Sequence, residues 1–153
     1  MSLTRRPFVA SLSGLLAVTF VCAAAPVRAN APAGRYTFPA TGTVLDTRTR
    51  LTWQQKSTAA ATLGAAGSAC FNLGLPGTGW RLPTVKELLT LADTAHDNSL
   101  DSTAFPSEPL GAYWSGTPVA GRPSEGWFAT FGSGNNSNGT DDGATLHLVR
   151  CVR

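Results

Sequence analysis

Asn135, Asn136, Asn138, Asp141 and Asp142 crowd one short stretch with side-chain oxygens, the ligand type that Ca²⁺ takes. Their spacing is not that of an EF-hand loop, and the Gly/Asn/Ser/Asp composition of residues 132–143 equally suits a solvated turn. Calcium is therefore the one ion left open, and no other cofactor is implied. His96 and Asp97 have the residue types for acid/base work, with Ser99 or Ser115 as a nucleophile. Adjacent residues seldom orient into a triad, however, and no nucleophile-elbow motif is present. The chain is read as non-enzymatic. Trp114, beside Tyr113, is the candidate ligand-facing aromatic, because aromatic faces stack on sugar rings; core packing is the competing role. Arg81 is read as a structural salt bridge or carbonyl clamp, and Trp53 as a core residue.

The elements that must position these residues follow from periodicity and turn chemistry. Gly79 to Leu88 reads as a short strand running into a capped helix. Trp80 and Leu82 are its buried-side residues, and Pro83 ends it. Thr84 and Glu87 have the capping-box spacing. Val85, Leu88, Leu89 and Ala92 then recur at helical spacing, so this helix is expected to end near Asp93. An earlier helix is expected over 58–73, where Leu63, Ala66, Cys70 and Leu73 share a face. Strands are expected over 35–38, 43–46, 51–55, 113–116, 127–131 and 146–152, the second and third as a hairpin and the last three as an antiparallel sheet. The 94–112 connection shows little periodicity, and loops that long in a small domain are usually functional or packed down. The pattern is α+β.

The amino terminus has its own logic. Arg5 and Arg6, an apolar run from Phe8 to Ala25 and Val27-Arg28-Ala29 form a secretory signal, too short and broken for a membrane span. Cleavage after Ala29 is the first choice and a cut near Ala23 to Ala25 the alternative. Thr4 to Val9 also fits a twin-arginine signal, so both export routes stay open. Residues 30–35 form a lead-in, read as flexible, and 36–153 the domain. The whole chain has 153 residues, with 12 Lys and Arg against 9 Asp and Glu. Without Arg5, Arg6 and Arg28 the two signs balance, which argues against nucleic acid as a partner. Cys22 leaves with the signal. The remaining pair, Cys70 and Cys151, is read as a disulfide, as suits an exported chain. A metal or redox pair is the alternative, with only His96 and His147 to assist.

Taken in order, Thr43-Val44-Leu45-Asp46, Leu51-Thr52-Trp53-Gln54, Cys70-Phe71-Asn72-Leu73, Gly79 to Leu88, Phe105-Pro106, Tyr113 to Gly116, Trp127 to Phe131 and Val149 to Arg153 resemble the bacterial Lcl C-terminal domain family. Arg81-Leu82-Pro83-Thr84 with Glu87, and Arg150-Cys151-Val152, are more distantly similar to the formylglycine-generating sulfatase-modifying family. Both resemblances imply a C-type-lectin-like fold, with two helices, a small twisted antiparallel sheet and termini brought together. Trp80, Arg81, Pro83, Thr84 and Glu87 are its structural motif. Glu108-Pro109-Leu110 keeps only two letters of a calcium-dependent sugar-binding triplet, so such binding is not carried over. The chain also lacks a collagen-like stalk.

The expected role is that of an exported binding module, periplasmic or extracellular, for envelope polysaccharide or a surface protein. Its face is placed on the 93–112 connection, Tyr113-Trp114 and the 132–143 loop. A structural or assembly protein of the envelope and a degenerate relative of a formylglycine-generating oxidase are the alternatives.

Overall fold

The computed structural model describes residues 31–94, 99–132 and 138–153. The segment expected to be an export signal, His96, Asp97, Asn98, Asn135 and Asn136 lie outside the described residues. Among the described residues two short helices and two sheets form a mixed α/β domain.

The first sheet is local. Strands β1 (Tyr36–Thr37), β2 (Thr43–Asp46) and β3 (Leu51–Gln54) pair antiparallel in sequence order, with Val44 opposite Trp53. The β2–β3 hairpin turns on Asp46, whose carboxylate accepts the amides of Arg48 (2.9 Å) and Thr49 (3.4 Å). This Asx-type turn lets Arg50 take a positive φ of 64°. The other oxygen of Asp46 accepts from Arg35 Nη2 at 3.0 Å. Arg35 also donates to Thr90 O, and its own carbonyl accepts the Thr47 amide. The lead-in, expected to be flexible, is thereby tied to both the hairpin and the end of the second helix.

Residues 58–73 do not form one helix. Thr58–Ala61 is strand β4, and helix α1 (Leu63–Phe71) starts only after it. The helical propensity of three consecutive alanines is weak beside a tertiary ladder. Here that ladder comes from strand β8 (His147–Val149), with Thr58 opposite Val149 and Ala61 opposite His147. Thr62 caps α1, accepting the amide of Ala65, and Ala66 and Cys70 face inward as expected.

Helix α2 (Val85–Leu89) has the full capping box: Thr84 Oγ1 accepts the Glu87 amide at 3.2 Å and Glu87 Oε2 accepts the Thr84 amide at 2.7 Å. It stops four residues before Asp93. The Thr90 hydroxyl donates to Glu87 O, and the amides of Leu91 and Ala92 reach back three residues rather than four. The last turn is tightened, yet Leu88 and Leu91 stay buried. Trp80 to Leu82 is not a full strand. Only Arg81 makes a bridge, to Val152.

The second sheet has the order β4-β8-β5-β6-β7, with β5 (Gly111–Pro118), β6 (Glu125–Phe131) and β7 (Asn138–Asp142). Strands β5, β6 and β7 are antiparallel, but β8 lies parallel to β5, so the closing three-strand expectation is corrected. The carboxy-terminal segment leaves β8 to bond with β3: Thr52 and Arg153 exchange amides and carbonyls at 2.9 Å, and Gln54 N reaches Cys151 O. That exit toward the first sheet sets the direction of β8. Strand β7 falls inside the expected 132–143 loop. Its Asn, Gly and Asp residues are poor strand formers, but β6 supplies the whole ladder from Glu125–Asp142 to Ala129–Asn138. Gly139 leaves room there for the tip of the Phe128 ring, which a Cβ would meet at 2.8 Å.

Two buried clusters form the core. One joins Trp53, Leu88, Phe105, Tyr113, Phe131 and Val152, and the other gathers Trp80, Trp114, Val149 and the Cys70–Cys151 disulfide around Ala66. The disulfide ties α1 to the chain end across a sequence separation of 81.

Replacing both cysteines with alanine should lower the unfolding free energy, read from urea titration, by up to about 4–5 kcal/mol. Acid should weaken the hairpin anchor. Burial pushes the Asp46 carboxyl up, but the hydrogen bonds from Arg35, Arg48 and Thr49 outweigh it and hold the pKa below 3.8. Its stabilisation is present above that value and is lost as pH falls through the lowered one. Asp46→Asn should therefore flatten the acid limb of the stability–pH curve.

Candidate functional site

Arg150 is the centre from which the site is built. It follows Val149 at the end of β8, in an otherwise apolar run, and its guanidinium has no exposed surface. A buried charge must be paired and hydrogen-bonded to be tolerated. Three parts of the chain converge to do this. Arg150 Nη1 donates to Gln54 O (2.7 Å) and Gln55 O (2.8 Å), at the end of β3 and just past it. Nη2 donates to Glu108 Oε2 at 2.5 Å. The cation also lies 4.4 Å from the Phe105 ring centroid and 5.7 Å from that of Tyr113. Burial lowers the Arg150 pKa, with Glu108 and Tyr113 opposing that shift.

Glu108 is held as firmly as it holds. Both its oxygens accept the Ser57 amide at 3.1 Å. The Tyr113 hydroxyl donates to Pro109 O at 2.8 Å and lies 3.4 Å from Glu108 Oε2. Desolvation raises the Tyr113 pKa, so its hydroxyl stays protonated. Ser107, just before, takes a positive φ of 57°, which turns the chain sharply at this point.

Over this pair lies an open groove of about 350 Å³. Lys56, Ser57, Thr58 and Ala59 form one wall, the Pro106 to Pro109 turn the other, and Leu148 lies between. A more apolar depression of about 410 Å³, with Leu73, Leu75, Gly42 and Gln55 in its walls, shares Lys56 with it. Hydroxyls, one exposed ammonium and short apolar patches thus line a surface whose frame is rigidly bonded from beneath. The arrangement offers hydrogen-bonding and van der Waals contact to a ligand.

The residues singled out in the sequence are placed differently. Trp114 is fully buried, and its indole N–H donates to Ala61 O at 2.8 Å. It cannot face a ligand, and that expectation is corrected: β5 is the central strand of its sheet, so its large side chains fill the core on both faces. Tyr113 is buried too, and Ser115 has no exposed surface. Asn138, Asp141 and Asp142 lie on β7. Asp141 and Asp142 are consecutive in a strand, so their side chains take opposite faces. Asp141 accepts the Asp142 amide at 2.8 Å and lies 3.3 Å from His147 Nε2, while Asp142 accepts the Ala144 amide at 2.9 Å. His147 packs between the rings of Trp114 (4.3 Å) and Phe128 (4.8 Å). Among the described residues no group of three or more His, Cys, Asp or Glu side chains is placed to hold a metal.

The structural motif serves the scaffold. Arg81 donates to both Glu87 oxygens at 2.9 and 2.8 Å, and this pairing lowers the Glu87 pKa. Pro83 O accepts the Gly116 amide, tying α2 to β5, and Trp80 lies beneath Arg153 at 5.5 Å. Arg150 and Glu108 entered the reading of the sequence only as members of motifs, and Lys56 was not singled out. The available signal was an arginine set between Val149 and Val152, where alternation gives no solvent face.

Removing one partner strands the other's charge in the interior. Glu108→Leu should cost ~3–5 kcal/mol in chemical denaturation, and the double change with Arg150→Met should recover much of it.

The Lcl C-terminal domain family matches residues 42–153. No curated protein and no solved structure matches the chain. The match spans most of the chain, and the chain belongs to that family.

Proposed function

We propose that this member of the Lcl C-terminal domain family is an exported, non-enzymatic binding module with a C-type-lectin-like fold, and that its ligand is an envelope polysaccharide. The fold reading is supported by two short helices, a largely antiparallel five-stranded sheet and a carboxy-terminal segment that returns to β3 beside the start of the domain. Export is supported by the amino-terminal sequence pattern and by the buried Cys70–Cys151 disulfide, which suits an oxidising compartment.

The observation that carries the binding reading is the groove around Lys56. Its hydroxyls belong to Ser57, Thr58 and Ser107, and its acidic member, Glu108, is engaged by Arg150 and the Ser57 amide. A mostly apolar groove edged by hydroxyls, on a fixed frame, suits the ring faces and dispersed hydrogen bonds of a sugar polymer. Of the oxygen donors expected to hold calcium, Asn135 and Asn136 lie outside the described residues, and Asn138, Asp141 and Asp142 lie on β7, where Asp141 and Asp142 take opposite faces. The face therefore shifts from Trp114 and the 132–143 loop to the Lys56 wall and the 106–109 turn.

A second reading has its own observation. Phe71 at the end of α1 is 83% exposed, and Leu110 and Leu146 are also exposed. Scattered apolar side chains are ordinary on a protein surface, so this reading rests on Phe71 alone as an anchor for a protein partner, as in an envelope assembly role. No helix among the described residues is long and apolar enough to cross a membrane.

The test is binding of the purified domain to an array of bacterial polysaccharides with and without chelator. Binding should survive chelator, and Lys56→Glu should weaken it about tenfold, roughly 1.4 kcal/mol, without moving the thermal midpoint. Absence of binding to any glycan, with Phe71→Ser abolishing capture of an envelope protein, would replace the first reading with the second.

A further inference from the structure

Lys56 stands where two depressions meet, and their walls differ in what they have left to offer. The groove of about 350 Å³ combines Ala59, Pro106 and Leu148 with the hydroxyl residues Ser57, Thr58 and Ser107. In the depression of about 410 Å³, Leu73 and Leu75 face Gln54 and Gln55. The polar groups of these two glutamines are largely committed inside the protein. Both their backbone carbonyls accept from Arg150, Gln54 Oε1 accepts the Cys151 amide at 3.0 Å, and Gln55 Nε2 donates to Ala104 O at 3.2 Å. Their backbone amides donate to Cys151 O and Gly42 O. The two leucines are half-buried and rest on the cluster that holds the Cys70–Cys151 disulfide. Gly42, at a φ of +76°, makes room for Leu75, whose Cδ2 would lie 2.9 Å from a Cβ there. The sequence carries no charged residue between Lys56 and Arg81. Lys56 is exposed and pairs with no carboxylate among the described residues.

We infer that the Lys56 site reads two consecutive sugar units of different chemistry: a hydroxylated unit beside Ser57 and Ser107, and a methyl-bearing unit, 6-deoxy or acetylated, on Leu73 and Leu75. This rests on the reading of the site as one for polysaccharide, and it names the class of polymer that the site takes. Each depression alone has the size at which small-ligand sites begin, about 300 Å³, so a linked pair of units can occupy both. At the junction, an ammonium with three donors serves the oxygens gathered around a glycosidic linkage. On the Ser57 side a sugar hydroxyl exchanges its hydrogen bonds to water for bonds to serine hydroxyls. On the Leu73 side it would lose them, because the glutamine groups of that wall are already bonded, and an unpartnered hydroxyl is costly to cover. A methyl group has no such loss and gains by covering the leucines. The site therefore selects by rejecting a hydroxyl as well as by attracting a methyl.

The test follows backbone amide shifts in the isotope-labelled protein during titration with cellobiose, and with cellobiose carrying a 6-deoxy or a 6-O-acetyl group on either unit. Cellobiose should shift the amides of Ser57 and Ser107. The methyl-bearing sugars should shift those of Gly42 and Leu75 as well and bind about fourfold more tightly, the increment for one buried methyl-sized group. A gain with only one of the two substituents identifies which of them supplies the methyl. Leu75→Ala should bring cellobiose and its derivatives to the same affinity. Equal affinities in the unaltered protein, with shifts confined to Ser57 and Ser107, overturn the inference and leave the polysaccharide reading standing. Shifts at Gly42 and Leu75 without any at Ser57, or binding on the polysaccharide array without a shift from any of these sugars, overturn it as well. No binding to the array and no shift from any sugar removes both readings. The comparison of sugars on the unaltered protein decides the matter if Leu75→Ala does not fold.

Discussion

A guanidinium without solvent is the constraint on which this domain rests. Arg150 is acceptable in the interior only while Glu108, the Gln54 and Gln55 carbonyls and the faces of Phe105 and Tyr113 surround it. Those groups come from the end of β3, the long connection before β5 and β5 itself. Satisfying one charge thus fixes the relative position of both sheets and pins an irregular loop that has no ladder of its own. Neighbouring residues add to the same seam. Cys151 bonds α1, Val152 exchanges hydrogen bonds with Arg81, and Arg153 pairs with Thr52 and covers Trp80.

That arrangement has a consequence for function. Arg35, Arg81 and Arg150 and their carboxylate partners are turned inward or locked in pairs that serve the scaffold. What faces solvent around Lys56 is mild in chemistry: hydroxyls, an ammonium and short apolar patches. Such a surface offers many weak contacts rather than one strong one, and it is held by a stiff frame beneath it. The disulfide contributes in the same sense, since it takes both cysteines of the domain out of redox chemistry and into the core.

Local signals were the legible ones. The Thr84/Glu87 capping box, the β2–β3 hairpin around Asp46 and the inward face of α1 through Ala66 and Cys70 all stand as the sequence indicated. Each is decided by residues close in the chain, where propensity, capping and turn chemistry act directly. The misreadings share one cause. Ala59 to Ala61 became a strand because β8 offers a ladder; Asn138 to Asp142 became a strand because β6 does; and β8 turned parallel to β5 because its exit must reach β3. Trp114 looked like a ligand platform beside Tyr113, yet its place in a central strand puts it in the core.

By itself, then, the sequence determined the family, the capped helix and the hairpin, because these depend on residue type and on short spacing, and it pointed to Cys70 and Cys151 as a pair that the structure joins. Only the tertiary structure decided that Glu108 answers Arg150, that Lys56 stands where two grooves meet, and that Ala31 lies on Asp101. Those contacts join residues 42 and 70 positions apart, or walls from several elements. Their partners are selected by the cost of burying an unmatched charge or polar group, a cost that exists only once the chain has closed around it.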